Sequence, residues 1–175
     1  MLTDISDGLK ALSDTGVVDP NRACIVGGSY GGYAALAGVT VQQGLYKCAV
    51  SVNGVSDVRN FYSWVVNNTG RQTATVRFWR LAMGAVGRSE QVMTEISPAI
   101  YASRADAPVL LIHGEDDTVV PINQSGIMES ALESADKPVE FIRMKGEDHW
   151  LSTEGTRIEM LTHALTFVKK HNPPG

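Results

Sequence analysis

Ser29 stands in the run Gly27-Gly28-Ser29-Tyr30-Gly31-Gly32-Tyr33, with a glycine two residues to either side. A serine hydroxyl attacks a carbonyl carbon only when it stands clear of the fold. A tight strand-to-helix turn achieves this if the flanking positions carry no side chain. Gly27 and Gly31 meet that condition. Composition alone would produce the pattern in roughly one such sequence in ten, so its meaning depends on what else the chain supplies.

Acyl transfer by serine needs a base to take its proton and a carboxylate to hold that base in the right tautomer. Downstream, His113-Gly114-Glu115-Asp116-Asp117-Thr118-Val119-Val120-Pro121 places three acids after an apolar run. A second such run is followed by Gly146-Glu147-Asp148-His149-Trp150. His163 and His171 fall in or after the last helical segment, where polar residues face solvent. His113 closes an apolar run and is expected beneath the site as a structural residue. His149 follows the last strand-like run on a loop with a nearby glycine, the position of a base. The chemical order is Ser29, an acid near Asp117, then His149. Glu115 and Asp116 suit a solvated acidic turn.

These residues need elements to carry them. Ile5, Leu9 and Leu12 recur at helical spacing, which predicts an amphipathic helix over 3–15 with Thr3 as cap and Gly16 as stop. Asp19-Pro20-Asn21 forces a turn. A strand is expected over 23–26 and a helix over 30–43, so Ser29 falls between them. Further strands are expected at 48–52, 108–113 and 139–143, with helices at 122–135 and 156–170. Strands alternating with helices, one of them apolar on both faces, predict a parallel α/β sheet of about four strands. Residues 53–104 form a long insertion containing Phe61, Tyr62, Trp64, Phe78 and Trp79. A stretch of that length implies its own helices, a partial cap over the carboxyl edge of the sheet. Tyr33 and residues 34–36 are expected to pack the helix face.

With 175 residues and ordinary apolar and charged fractions, the chain reads as one globular domain, 1–175. Its net charge of −4 and lack of any lysine and arginine cluster argue against nucleic acid or an anionic membrane as partner. There is no signal-like start and no membrane-length apolar run, so a soluble cytoplasmic protein is expected. Cys24 and Cys48 match no metal spacing and are expected as small buried core residues. No metal or organic cofactor is implied.

The three motifs resemble the catalytic domain of the prolyl oligopeptidase family of serine peptidases, in particular its acylaminoacyl-peptidase and dipeptidyl-aminopeptidase branches. The likeness rests on Gly27 to Tyr33 preceded by Val18-Asp19-Pro20-Asn21-Arg22, on His113-Gly114-x-x-Asp117-x-x-Val120-Pro121, and on Glu147-Asp148-His149. It implies an α/β-hydrolase fold with Ser29 as nucleophile, His149 as base and Asp117, four residues after the histidine of the His-Gly pair, as orienting acid. Asp116 is the fallback. The resemblance also implies an aromatic acyl-side pocket drawn from Phe61, Tyr62 and Trp64, with Val120 as another wall, suited to a small ester or short peptide with an apolar acyl side.

The sequence departs from that family in length. Four strands make an incomplete α/β-hydrolase sheet. The backbone N–H of Tyr30 supplies one oxyanion donor, while the loop that usually brings the second has no counterpart here. The strand leading to Ser29 is expected at an open, apolar sheet edge, which invites pairing and hence a homo-oligomer. Two functions follow: a serine hydrolase working through an acyl-enzyme, or a weakly active or inactive remnant that serves as an oligomerisation or interaction module.

Overall fold

The central strand β3, Val109–Gly114, is buried along its whole length, because Val-Leu-Leu-Ile presents apolar side chains to both faces of the sheet. In the computed structural model, which describes residues 2–174, β3 lies between β2, Ala49–Val52, and β4, Val139–Met144. Strand β1, Ile25–Gly28, completes a four-stranded sheet in the order β1-β2-β3-β4, with every pairing parallel. Because all four strands run the same way, their carboxyl ends share one edge. The segments that carry Ser29, Asp117 and His149 all leave from that edge.

Helices α1, Leu2–Asp14, α2, Tyr30–Thr40, and α6, Asn123–Ser134, cover one face of the sheet. Ala35, Leu36 and Val39 of α2 meet Met128 and Leu132 of α6 over Ala49, Val109 and Leu111. Helix α7, Glu154–His171, covers the other face, with Ala164 and Phe167 on Val50, Leu110 and Ile112. Between β2 and β3, the insertion forms α3, Val58–Thr69, α4, Ala74–Ala82, a short α5, Gln91–Glu95, and a 3₁₀ stretch, Pro98–Arg104. Asp57 and Thr73 cap α3 and α4 by accepting from the backbone N–H of Asn60 and Val76. These helices enclose their own cluster around Phe61, Val65, Val76 and Met93.

The cysteines differ from expectation. Cys24 and Cys48 form a disulfide, with Cα atoms 4.8 Å apart. The strand register explains why. Ile25 pairs with Ala49, so the residues just before them become neighbours across the β1–β2 ladder. Spacing along the chain hides that proximity.

Candidate active site

Ser29 occupies the junction of β1 and α2 with φ 55° and ψ −116°. A non-glycine residue in that region is strained, and such strain persists only where the surroundings enforce it. Here the enforcement is local. A β-carbon on Gly27 would stand 2.8 Å from the Cα of Gly31 and overlap its carbonyl, so the turn closes only with glycine there. The Ser29 N–H donates to the Val52 carbonyl at 2.8 Å, and its own carbonyl accepts from Tyr33 N–H at 3.1 Å. Although Ser29 is the N-cap of α2, its side chain makes no capping bond. Tyr30 is the first residue of α2, and its N–H therefore has no partner within the helix.

Asp117 sits on the turn after β3, with its side chain fully buried. Oδ1 accepts from the backbone N–H groups of Val119 and Val120, both at 2.8 Å. Oδ2 accepts from His149 Nδ1–H at 2.7 Å, which leaves Nε2 as the basic nitrogen of that ring. His113 Nε2–H donates to the Val120 carbonyl at 2.8 Å and stands 3.4 Å from Asp117 Oδ2. Its Nδ1 accepts from the Ser125 hydroxyl at 2.7 Å. Burial pushes the Asp117 carboxyl up, but the hydrogen bonds from His113, His149, Val120 and Val119 outweigh it and hold the group well below the usual carboxylate range. Asp117 is therefore an anion aimed at His149.

His149 rides on the loop between β4 and α7. A β-carbon on Gly114 would stand 2.8 Å from the Asp148 carbonyl oxygen, so glycine at the end of β3 lets that loop lie flat against it. Asp116 N–H donates to the Glu147 carbonyl at 2.9 Å, tying the acid's turn to the histidine's loop. Among the described residues, the structure joins Asp117 to His149 directly, while the Ser29 hydroxyl makes no hydrogen bond to His149. Asp116, the fallback acid, is exposed and is tied to the histidine's loop through its backbone N–H.

Beside Ser29 lies a cavity of about 220 Å³. Phe61 and Val58 of α3, Trp79 and Met83 at the end of α4, Tyr33 of α2 and Val120 wall it, with no charged side chain in the lining. Tyr62 and Trp64, expected in the pocket, do not line it; they pack in the cluster of the insertion. Tyr33, expected to serve packing alone, reaches the pocket one helical turn beyond Ser29 and donates its hydroxyl to the Ile96 carbonyl at 3.0 Å. Burial, with Tyr30 alongside, pushes its pKa up to about 12, so it stays protonated. A broader, open groove along α6 contains none of Ser29, Asp117 and His149. No group of metal-ligating side chains occurs among the described residues.

Residues 1–173 match the family model described as the prolyl oligopeptidase family. The chain belongs to that family. Over 157 residues it is 29% identical to the uncharacterized peptidase YuxL of Bacillus subtilis, covering 88% of this chain and 23% of that protein. Among solved structures, a puromycin-hydrolyzing peptidase of Mycobacterium tuberculosis superposes with a TM-score of 0.84 at 32% identity, over 98% of this chain and 25% of the other. The acylaminoacyl peptidase of Pyrococcus horikoshii gives 0.76 at 26% identity, over 96% and 26%. The chain thus spans about a quarter of the length of these relatives. The four-stranded parallel sheet with its flanking helices is part of the α/β-hydrolase architecture of these peptidases.

Proposed function

We propose that this chain carries a serine hydrolase site in which Ser29 attacks an ester or amide carbonyl, His149 accepts and returns the proton, and Asp117 orients His149. The observation that carries this reading is the Asp117–His149 hydrogen bond, on the same sheet edge as the strained turn that presents Ser29. The serine forms an acyl-enzyme, the leaving group departs with the proton from His149, and water reverses the sequence. Tyr30 N–H is the oxyanion donor from this chain. One such donor is typically worth about a hundred- to thousandfold in turnover, and activated esters, whose carbonyls ask least of it, are the proposed substrates. The uncharged pocket favours an apolar acyl group, or an apolar residue on the acyl side of a short peptide.

A fluorophosphonate probe tests this directly, since it labels an activated serine without needing the natural substrate. The parent chain is expected to label, whereas Ser29→Ala is not and His149→Ala only very slowly. Labelling that survives Ser29→Ala would sink the assignment.

For partners, the free edge of β1 is expected to pair with a second copy. Among the described residues β1 bonds only to β2, and Val26 on it is 54% exposed. Ile158, Leu161 and Leu165 add an exposed apolar row on α7. A monodisperse monomer by light scattering at micromolar concentration would refute the pairing. No helix among the described residues is long and apolar enough to cross a membrane. A cytoplasmic location would call for Cys24 and Cys48 as thiols, whereas the disulfide suits an oxidising compartment. Thiol titration of the native protein separates the two.

A further inference from the structure

Val52 and Asn53, consecutive residues at the end of β2, touch the backbones of both Ser29 and His149. The Val52 carbonyl accepts the Ser29 N–H at 2.8 Å. One residue on, the Asn53 side chain donates from Nδ2 to the His149 carbonyl at 2.9 Å. Its Oδ1 accepts from Gly114 N–H, also at 2.9 Å. Its backbone N–H donates to the Ile112 carbonyl at 2.9 Å. Asn53 is 2% exposed. Its φ of 50° lies in the left-handed region, which asparagine tolerates better than most residues.

This arrangement is more specific than packing requires. A buried carboxamide has a donor end and an acceptor end, and here each end has a backbone partner on a different segment. One partner is the last residue of β3; the other is the residue carrying the base. Few other side chains could serve both. Aspartate would keep the acceptor but turn an oxygen toward the His149 carbonyl, and glycine would keep the backbone while removing both bonds.

We propose that Asn53 is a positioning residue that sets His149 relative to Ser29, using the end of β2 as the common mount. The inference rests on the assignment of Ser29 and His149 above. Asn53 touches no reacting atom in this scheme and acts through the His149 backbone. A displacement of about 1 Å of a catalytic group can cost about a hundredfold in rate, so losing this tether should appear in kcat.

The experiment compares the parent chain with Asn53→Gly and Asn53→Asp, by kcat and KM for p-nitrophenyl butyrate and by hydrogen exchange of the backbone amides. Asn53→Gly is expected to lower kcat by about thirty- to hundredfold and leave KM within about threefold. Exchange should quicken over 147–151 and stay unchanged over 30–36. Asn53→Asp, which keeps the bond to Gly114, is expected to lose nearly as much. Unchanged exchange over 147–151 in Asn53→Gly, or parent-like kcat in Asn53→Asp, would overturn the proposal. Parent hydrolysis that survives Ser29→Ala would instead overturn the serine assignment, while the exchange result would still report whether Asn53 holds the loop.

Discussion

Asp117 divides its carboxylate between its own turn and His149, one oxygen held by the N–H groups of Val119 and Val120 and the other accepting the hydrogen bond from His149 Nδ1–H at 2.7 Å. Asp117→Asn keeps an oxygen for the turn but presents the wrong group to Nδ1. A loss of about ten-thousandfold in kcat is expected, with little change in KM, measured by steady-state ester hydrolysis.

The same carboxylate makes stability depend on acid. Its pKa in the folded chain lies below the ordinary value of 3.8, so the stabilisation is fully present above that value and fades as pH falls through the folded pKa. Urea midpoints should therefore drop below about pH 4, and the drop should be shallower in Asp117→Asn. Parallel curves for the two proteins would show that other carboxylates govern the acid limit.

The turn at Ser29 holds strain that glycine would relieve. Ser29→Gly is expected to raise stability by about 1 kcal/mol, the net of relieved strain and added freedom in the unfolded chain, while abolishing probe labelling. Gly27→Ala should act in the opposite direction on stability, because its new methyl meets the Gly31 backbone. A loss of about 1–3 kcal/mol is expected from such overpacking. Thermal unfolding of both variants checks the pair.

Trp79 is half-buried at the end of α4 and forms one wall of the pocket, edge-on to Phe61 with ring centroids 5.0 Å apart. Trp79→Ala should lengthen the cavity and shift kcat/KM from acetyl toward hexanoyl esters by about tenfold or more. Measuring an acyl-chain series on both proteins would show it, and an unshifted profile would place the acyl group elsewhere.

The sheet and the polar site differed in how much of them could be read from the chain. All four strands and the helices outside the insertion were visible as apolar runs and helical periods, but their ends moved. The first strand was expected over 23–26 and runs Ile25–Gly28, because Gly27 and Gly28 pair with Ser51 and Val52 although they add nothing to an apolar run. Spacing and order pointed to Ser29, His149 and an acid near Asp117. The pocket was less legible, since facing along α3 decides which aromatic reaches the cavity, and Phe61 and Val58 share that face while Tyr62 does not. Asn53 leaves no signal in the sequence, because its significance lies in two backbone partners 61 and 96 residues away. The disulfide is hidden in the same way, since only the β1–β2 register makes its cysteines neighbours.

Breaking the Cys24–Cys48 link should cost about 3 kcal/mol for a loop of this separation, in a loop-entropy account of cross-links. Denaturant unfolding of the parent against the double serine variant measures it directly.

Among the described residues β1 is both the outermost strand of the sheet and the one that leads into Ser29. The cross-link to Cys48 anchors its far end. Its other end is pinned as well, by the Ser29 N–H on the Val52 carbonyl. Strand β1 is thus fixed to β2 at both ends, so the turn that carries Ser29 takes its orientation from β2.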